Sequence, residues 1–349
     1  MSRIERSYRI LETDVLLRSD REDWIDRFDR EHEFFSARKR TDSPANTIVL
    51  ELRQRTVKRF ELSRNGAVVA ALPVEAASLA YDLIRREIFG TLNNFFVFHG
   101  GVAAKNGRAL VVAGPPESGK TTLVLGLLRK GFEFFSDEIC PVHQRTMEIH
   151  PYPRAVWIAD RESPKGEKKL VPAKQIGSSV GKSPASPKCL VILDVRRSGD
   201  PELLLRIVIR RDRSDEFIKD ASIHNVRIEE ISESEYRSLS AAFPKRRNSR
   251  LRLIEALHRH QDGILRAVYS PAAKADFSHD PTIRRILPSE AARLLLSHLI
   301  DRSPAIITGT PGSALFQVCR ILRNTNCFHM VPGELTATTD LLASAWATR

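Results

Sequence analysis

Apolar and polar positions alternate along some stretches of the chain and recur at three- and four-residue steps along others, which predicts strands and helices in mixture. Residues 7–74 read as short strands with one helical insert. Thr47–Leu52, Val57–Leu62 and Ala67–Leu72 are apolar-rich and β-branched, and Arg64-Asn65-Gly66 marks a turn, so these segments predict a hairpin or small sheet. From Val74 to Leu92 the positions Ala76, Leu79, Ala80, Leu83, Ile84 and Ile88 follow a helical spacing, and that helix bridges to the rest of the chain.

The centre is more legible. Phe95–Ala104 reads as a strand, Lys105-Asn106-Gly107-Arg108 as a type I′ turn, and Ala109–Ala113 as the returning strand. Gly114–Thr121 is then a loop, Thr122–Lys130 a helix stopped by Gly131, and Phe132–Phe135 a strand ending at Ser136-Asp137-Glu138. Strand, loop, helix and strand in this order predict an α/β sheet with parallel strands. Between Asp160 and Lys188 the composition turns to Lys, Ser, Pro and Gly, which reads as a polar loop outside the core. Lys188–Val195 and Leu203–Ile209 read as buried strands, and Ser232–Tyr269 carries helical periodicity. Ser289–Ile300 reads as a helix with Ser289 as N-cap, followed by a helix at Ser313–Arg323 and a strand at Cys327–Val331. The chain thus divides into a small N-terminal α+β subdomain, 1–92, and an α/β domain, 93–349.

Hydrophobic residues make up 42% of the 349 and charged residues 28%, a balance that supports a folded globular chain. No run of eighteen apolar residues occurs, so a membrane span is not expected; the first residues lead into no apolar segment, so a signal peptide is not expected and the cytoplasm is the expected location. The four cysteines form no Cys-x-x-Cys pair. Cys319, Cys327 and His329 match no zinc spacing, and buried thiols are the expectation. The formal charge of +12 can attract nucleic acid, acidic lipid or acidic protein, and also suits a polyphosphate ligand. Its densest cluster, Lys245-Arg246-Arg247 with Arg250 and Arg252, has no interleaved aromatics and no helix-turn-helix beside it. A solvated basic face is expected there, and nucleic acid is not the expected partner.

The run Gly114-Pro115-Pro116-Glu117-Ser118-Gly119-Lys120-Thr121 fits G-x-x-x-x-G-K-[ST], with Thr122 opening the helix. Four fixed positions recur by accident in on the order of one chain in a hundred of this length. Here the loop also lies between an apolar strand and a helix, as its chemistry requires. Successive backbone N–H groups wrap phosphates, the helix N-terminus adds positive potential, Lys120 reaches the β- and γ-phosphates, and Thr121 ligates Mg²⁺. ATP and Mg²⁺ are the implied cofactors. Glu117 is a departure, an acid where a small residue is easier, and is expected to point away from the phosphates. A second acid must serve the metal or take a proton. Two candidates stand: Asp137-Glu138 at the end of the next strand, and Asp194 after Leu190-Val191-Ile192-Leu193.

From His99 to Glu138 the chain resembles the kinase domain of the HPr serine kinase/phosphorylase family. The resemblance lies in His99-Gly100 on the first hairpin strand, the hairpin leading into the P-loop, and an acidic pair after a Gly-ended helix. Such a hairpin is found in that family and in phosphoenolpyruvate carboxykinases. Pro151-Tyr152-Pro153-Arg154 and Pro332-Gly333-Glu334-Leu335 resemble HPr-kinase-like proteins found beside peptide-modifying gene clusters. The resemblance implies a P-loop kinase core of the HPr kinase / phosphoenolpyruvate carboxykinase type. It implies Asp137 as the base that accepts the hydroxyl proton, Glu138 as a Mg²⁺ ligand, and His99 near the phosphates; Arg154 could neutralise transferred charge. The family's Glu-Ile-Arg-Gly signature is absent and the second acid is Glu rather than Asp, which disfavours phosphorolysis. The resulting expectation is a kinase acting on a hydroxyl, serine of a protein or peptide first. A non-catalytic nucleotide-binding switch or scaffold and a small-molecule kinase are the alternatives.

Overall fold

The structure, a computed structural model, describes residues 3–36, 46–73, 77–159, 168–176, 179–196, 202–223, 226–230, 236–244, 256, 259–260, 264–271, 275–296 and 311–347. Its first strands, β1 (Ile4–Ile10) and β2 (Thr13–Ser19), form an antiparallel pair. The helix α1 (Glu22–Glu31) crosses over to β3 (Thr47–Thr56), which lies parallel to β2, and β4 (Arg59–Arg64) and β5 (Ala67–Pro73) complete a five-stranded sheet in sequence order. Val57, expected on a strand, lies in the β3–β4 turn and is 87% exposed. On α1 the positions Trp24, Ile25 and Phe28 face inward at helical spacing, with Phe28 edge-on to Tyr8 at 4.9 Å. The bridging helix, α2, runs over Ala77–Phe89.

The second sheet begins with β6 (Phe95–Lys105) and β7 (Arg108–Ala113), joined by Asn106 and Gly107, both at positive φ as a type I′ turn requires. Next come α3 (Lys120–Leu128), closed by Gly131 at φ +79, and then β8 (Glu133–Ser136) and β9 (Ile139–His143). Both of these strands pair antiparallel with β6, so β8 runs parallel to β7 with β6 between them. A hairpin of β10 (Val156–Ala159) and β11 (Lys168–Val171) follows, then α4 (Ala173–Ile176) and β12 (Ser186–Leu193), parallel to β7.

This region corrects the expectation of a coreless polar loop. Ala173 is fully buried, Ala185 is 1% exposed, and a Cβ on Gly181 would lie 2.0 Å from the Phe135 ring. Small residues pack closely here, a contribution that composition alone cannot register.

A four-stranded antiparallel sheet is built from β13 (Glu202–Arg210), β14 (Arg227–Glu230), β15 (Tyr236–Pro244) and β16 (Ile264–Pro271), with α5 (Arg211–Asp220) against it. The helical periodicity expected over Ser232–Tyr269 is overturned at both ends. β15 and β16 pair with the two edges of β13 along nearly its whole length, and tertiary pairing overrides a weak local period. The basic cluster at 245–252 lies outside the described residues.

The chain ends with β17 (Thr282–Arg285), α6 (Pro288–Leu296), α7 (Pro311–Leu322), β18 (Asn326–Val331) and α8 (Leu335–Ala347). Ser289 is not the cap of α6 but lies in its first turn after Pro288, whose fixed φ suits that position. β18 pairs parallel with β12, giving the order β17-β18-β12-β7-β6-β8, with β9 also on β6. The fold is therefore mixed α/β with several sheets. Cys327 is buried but Cys319, expected buried, is exposed. Among the described residues no His/Cys/Asp/Glu cluster suits a metal, and no helix is long and apolar enough to cross a membrane.

Candidate functional site

The strand β7 lies between β12 and β6 with Leu110, Val112 and Ala113 fully buried, the apolar run that a central strand shows. It delivers the chain into a loop that folds back on itself. A Cβ on Gly114 would lie 2.8 Å from Ser118 Oγ and 2.9 Å from Leu193 Cβ, so this turn needs glycine. Gly119, at φ +85, is the N-cap of α3, and Glu117 also takes a positive φ of 59 with its side chain exposed. Pro115 and Pro116 are half-buried and Thr122 is exposed.

Lys120 is 7% exposed, and its Nζ donates to the carbonyl oxygens of Gly114 at 3.0 Å and Pro115 at 2.9 Å. Burial lowers its pKa to about 8, against the pull of Glu138 and Asp137. The Thr121 hydroxyl donates to Asp137 Oδ2 at 3.2 Å. Asp137 is pushed up to about 6, first by burial and then by the neighbouring Glu138 carboxylate. Glu138 moves the other way. Burial pushes it up as well, but the guanidiniums of Arg154 and Arg85 outweigh burial and hold it below the usual glutamate range. Its side chain retains 40% of its accessible area, so it sits at an open mouth rather than in a sealed core. Adjacent acids with pKa values driven apart are a pattern that separates proton-handling from charge-holding roles.

The sheet brings His99 to the same place. His99 lies opposite Ile139, and the Gly100 N–H donates to the Glu138 carbonyl at 2.9 Å. Burial and the Lys120 charge lower the His99 pKa, so the ring is neutral at neutral pH. Arg154 is 7% exposed and ion-pairs with Glu138 on one side, with Glu31 Oε2 at 3.8 Å on the other. Arg85 of α2 lies 3.9 Å from Glu138 and also pairs with Asp82. Motif reading missed Glu31 and Arg85. They lie on helices distant in sequence and belong to no pattern; the one available signal was a charged residue near the end of an amphipathic helix.

The rival acid also follows a strand that ends beside the loop, since β12 pairs with β7 up to Ile192 and Ala113. Asp194 directly follows Leu193, which touches the start of the loop, but its carboxylate is 68% exposed and lies 3.6 Å from His329 Nε2. Lys168 and Lys169, expected in a loop, are on β11, and Lys168 lines a cleft of about 880 Å³ beside the Gly114–Thr121 loop.

The donor set fits a phosphate chain with a divalent cation. Ser118 Oγ is fully buried with no hydrogen-bond partner among the described residues, Lys120 supplies a cation at the helix N-terminus, and Thr121, Asp137 and Glu138 supply hard oxygen ligands.

No protein-family model and no curated protein matches the chain. Among solved structures it is similar to the HPr(Ser) kinase/phosphatase from Coxiella burnetii, at 14% identity and a TM-score of 0.23, over 48% of this chain and 99% of that one. That likeness assigns no residue and no role.

Proposed function

We propose that this chain is an ATP- and Mg²⁺-dependent phosphotransferase that moves the γ-phosphate to a hydroxyl, with serine of a protein or peptide as the first acceptor class. The observation that carries this reading is the Thr121–Asp137 hydrogen bond beside the buried Lys120. It joins the loop that would hold the phosphates to the acid that would take the proton. Bound Mg·ATP supplies the transferable phosphoryl group and neutralises part of its charge. With that group bound, Lys120 would reach the phosphates in place of the loop carbonyls, and Thr121 with Glu138 would hold the cation. Asp137, with its raised pKa, accepts the hydroxyl proton, while neutral His99 lies beside the acid pair. Arg154 is placed to balance negative charge as it moves.

The test is Mg·ATP-dependent thermal stabilisation of the native chain and of Lys120→Ala, followed by transfer of labelled phosphate by Asp137→Asn. Ligand at a hundred times its Kd adds about 2.7 kcal/mol, and Lys120→Ala should lose that gain. Full transfer by Asp137→Asn with intact binding would remove Asp137 as the base. A second reading, a nucleotide-controlled switch without transfer, draws on Arg154, which engages the carboxylate a metal would need. It predicts tight nucleotide binding and no labelled product with any hydroxyl acceptor.

A further inference from the structure

The cleft beside the phosphate loop has a shape and a lining that the phosphates alone do not use. It begins at Glu117–Thr122, runs along the outer flank of α3 past Leu125, and is walled on its far side by Trp157 and Ile158 of β10. Phe277 closes the end above Gly119, its ring 3.6 Å from where a Cβ on that glycine would lie. At about 880 Å³ the cleft is within the range of small-molecule sites and exceeds what a triphosphate would fill. None of Asp137, Glu138, His99 and Arg154 lines it, although Thr121, which donates to Asp137, does.

Trp157 is the unusual residue. Along β10, Val156 is fully buried in the core, while Trp157 is 46% exposed and turns to the cleft. A half-exposed indole beside a phosphate loop is an available stacking face, and base–aromatic stacking tolerates every nucleobase because each has a π-face. Reading a base edge would need fixed polar groups. The buried polar side chains of this cleft, Ser118 and Lys120, stand at its phosphate end, and the one amide among its described lining residues, Gln175, is exposed.

We infer that this cleft is a nucleoside subsite in which the base of a bound nucleoside triphosphate stacks on Trp157, without selection between purines. The inference rests on the phosphate-loop reading above. It also fixes direction: the nucleoside lies along α3, on the Trp157 side of the loop.

The experiment compares binding of Mg·ATP, Mg·GTP and Mg·tripolyphosphate to the native chain, Trp157→Ala, Trp157→Phe and Lys120→Ala. Trp157→Ala should weaken ATP and GTP alike, by roughly 5- to 150-fold, and change tripolyphosphate by less than about twofold. Trp157→Phe should retain most of the nucleotide affinity, and unchanged tripolyphosphate binding certifies that the variants are folded. Equal affinity of the native chain for ATP and tripolyphosphate would overturn the subsite and leave the phosphate loop standing. So would a Trp157→Ala variant with native ATP affinity, or a native chain that separates ATP from GTP by more than about tenfold. Tripolyphosphate binding that survives Lys120→Ala, or no binding by the native chain, would overturn the phosphate-loop reading and the subsite with it.

Discussion

Asp137 is held in a setting that favours its neutral form, and Asp137→Asn makes that measurable. Its pKa rises from 3.8 to about 6, with burial the largest cause. At 1.36 kcal/mol per pH unit, keeping it ionised at neutral pH costs the fold about 3 kcal/mol. Between those two values the native state binds more protons than the unfolded chain, so stability falls as pH rises through the window. The cost is complete above about pH 6 and absent below the ordinary aspartate pKa. Asparagine removes the charge and keeps an oxygen that can accept from Thr121. Because the amide has its own burial penalty, the expected gain is about 1–3 kcal/mol near pH 8, vanishing near pH 4. Urea unfolding of both proteins at the two pH values reads this directly, provided the slopes match. Phosphotransfer should fall by about 10²–10⁴-fold in the same variant. An Asp137→Asn protein no more stable than the parent near pH 8, or equally stabilised at both pH values, would refute the electrostatic argument.

Other consequences follow from the same geometry. The pH profile of kcat/KM should be bell-shaped, rising through about 6 as Asp137 ionises and falling above about 8 as Lys120 loses its proton; a flat profile between pH 5 and 9 would exclude both roles. Arg154→Ala leaves the buried Glu31 carboxylate with Arg27 as its remaining partner at 3.5 Å and should cost about 1–3 kcal/mol in a denaturation experiment, part of it recovered by adding Glu31→Gln. A Cβ on Gly126 would lie 2.5 Å from Thr339 Cγ2, and Thr339 is only 3% exposed. Gly126→Ala should therefore lower stability by about 1–2 kcal/mol despite its better helix propensity, and a stabilised variant would show that α8 yields at this contact.

The parts of the fold that could be read from the chain are those governed by local rules. The β6–β7 hairpin carries Asn106-Gly107, the stop of α3 carries Gly131, and the Gly114–Thr121 loop carries its glycines and lysine at fixed spacing. Each depends on backbone conformation within a few residues, so one sequence is enough. The failures are contacts between distant segments. β15 and β16 exist because β13 offers two edges to them, and Ala173, Gly181 and Ala185 reach the core because they are small enough to pack, not because they are strongly apolar.

The acid pair illustrates the same division inside the site. Motif spacing leads to Asp137 and Glu138, but what distinguishes the two carboxylates lies outside the motif. Glu138 is held ionised by Arg154 and Arg85, and Arg154 is held in turn by Glu31 and by the bond from the Ala155 N–H to the Glu31 carbonyl at 3.1 Å. Asp137 feels Arg154 too, but burial dominates it. Adjacent residues on one strand end thus acquire opposite behaviour because Arg154, from the segment before β10, and Arg85 of α2 both act on Glu138, while α1 contributes Glu31, the carboxylate that holds Arg154. Tyr152, Ile139 and Phe95 pack into the apolar core of the five-stranded sheet, so the spacing between those helices and the acid pair is set by a shared core. Removing Arg154 would take away the larger of the two guanidinium influences on Glu138 and leave Arg85, and the Glu138 pKa would rise toward the usual glutamate range.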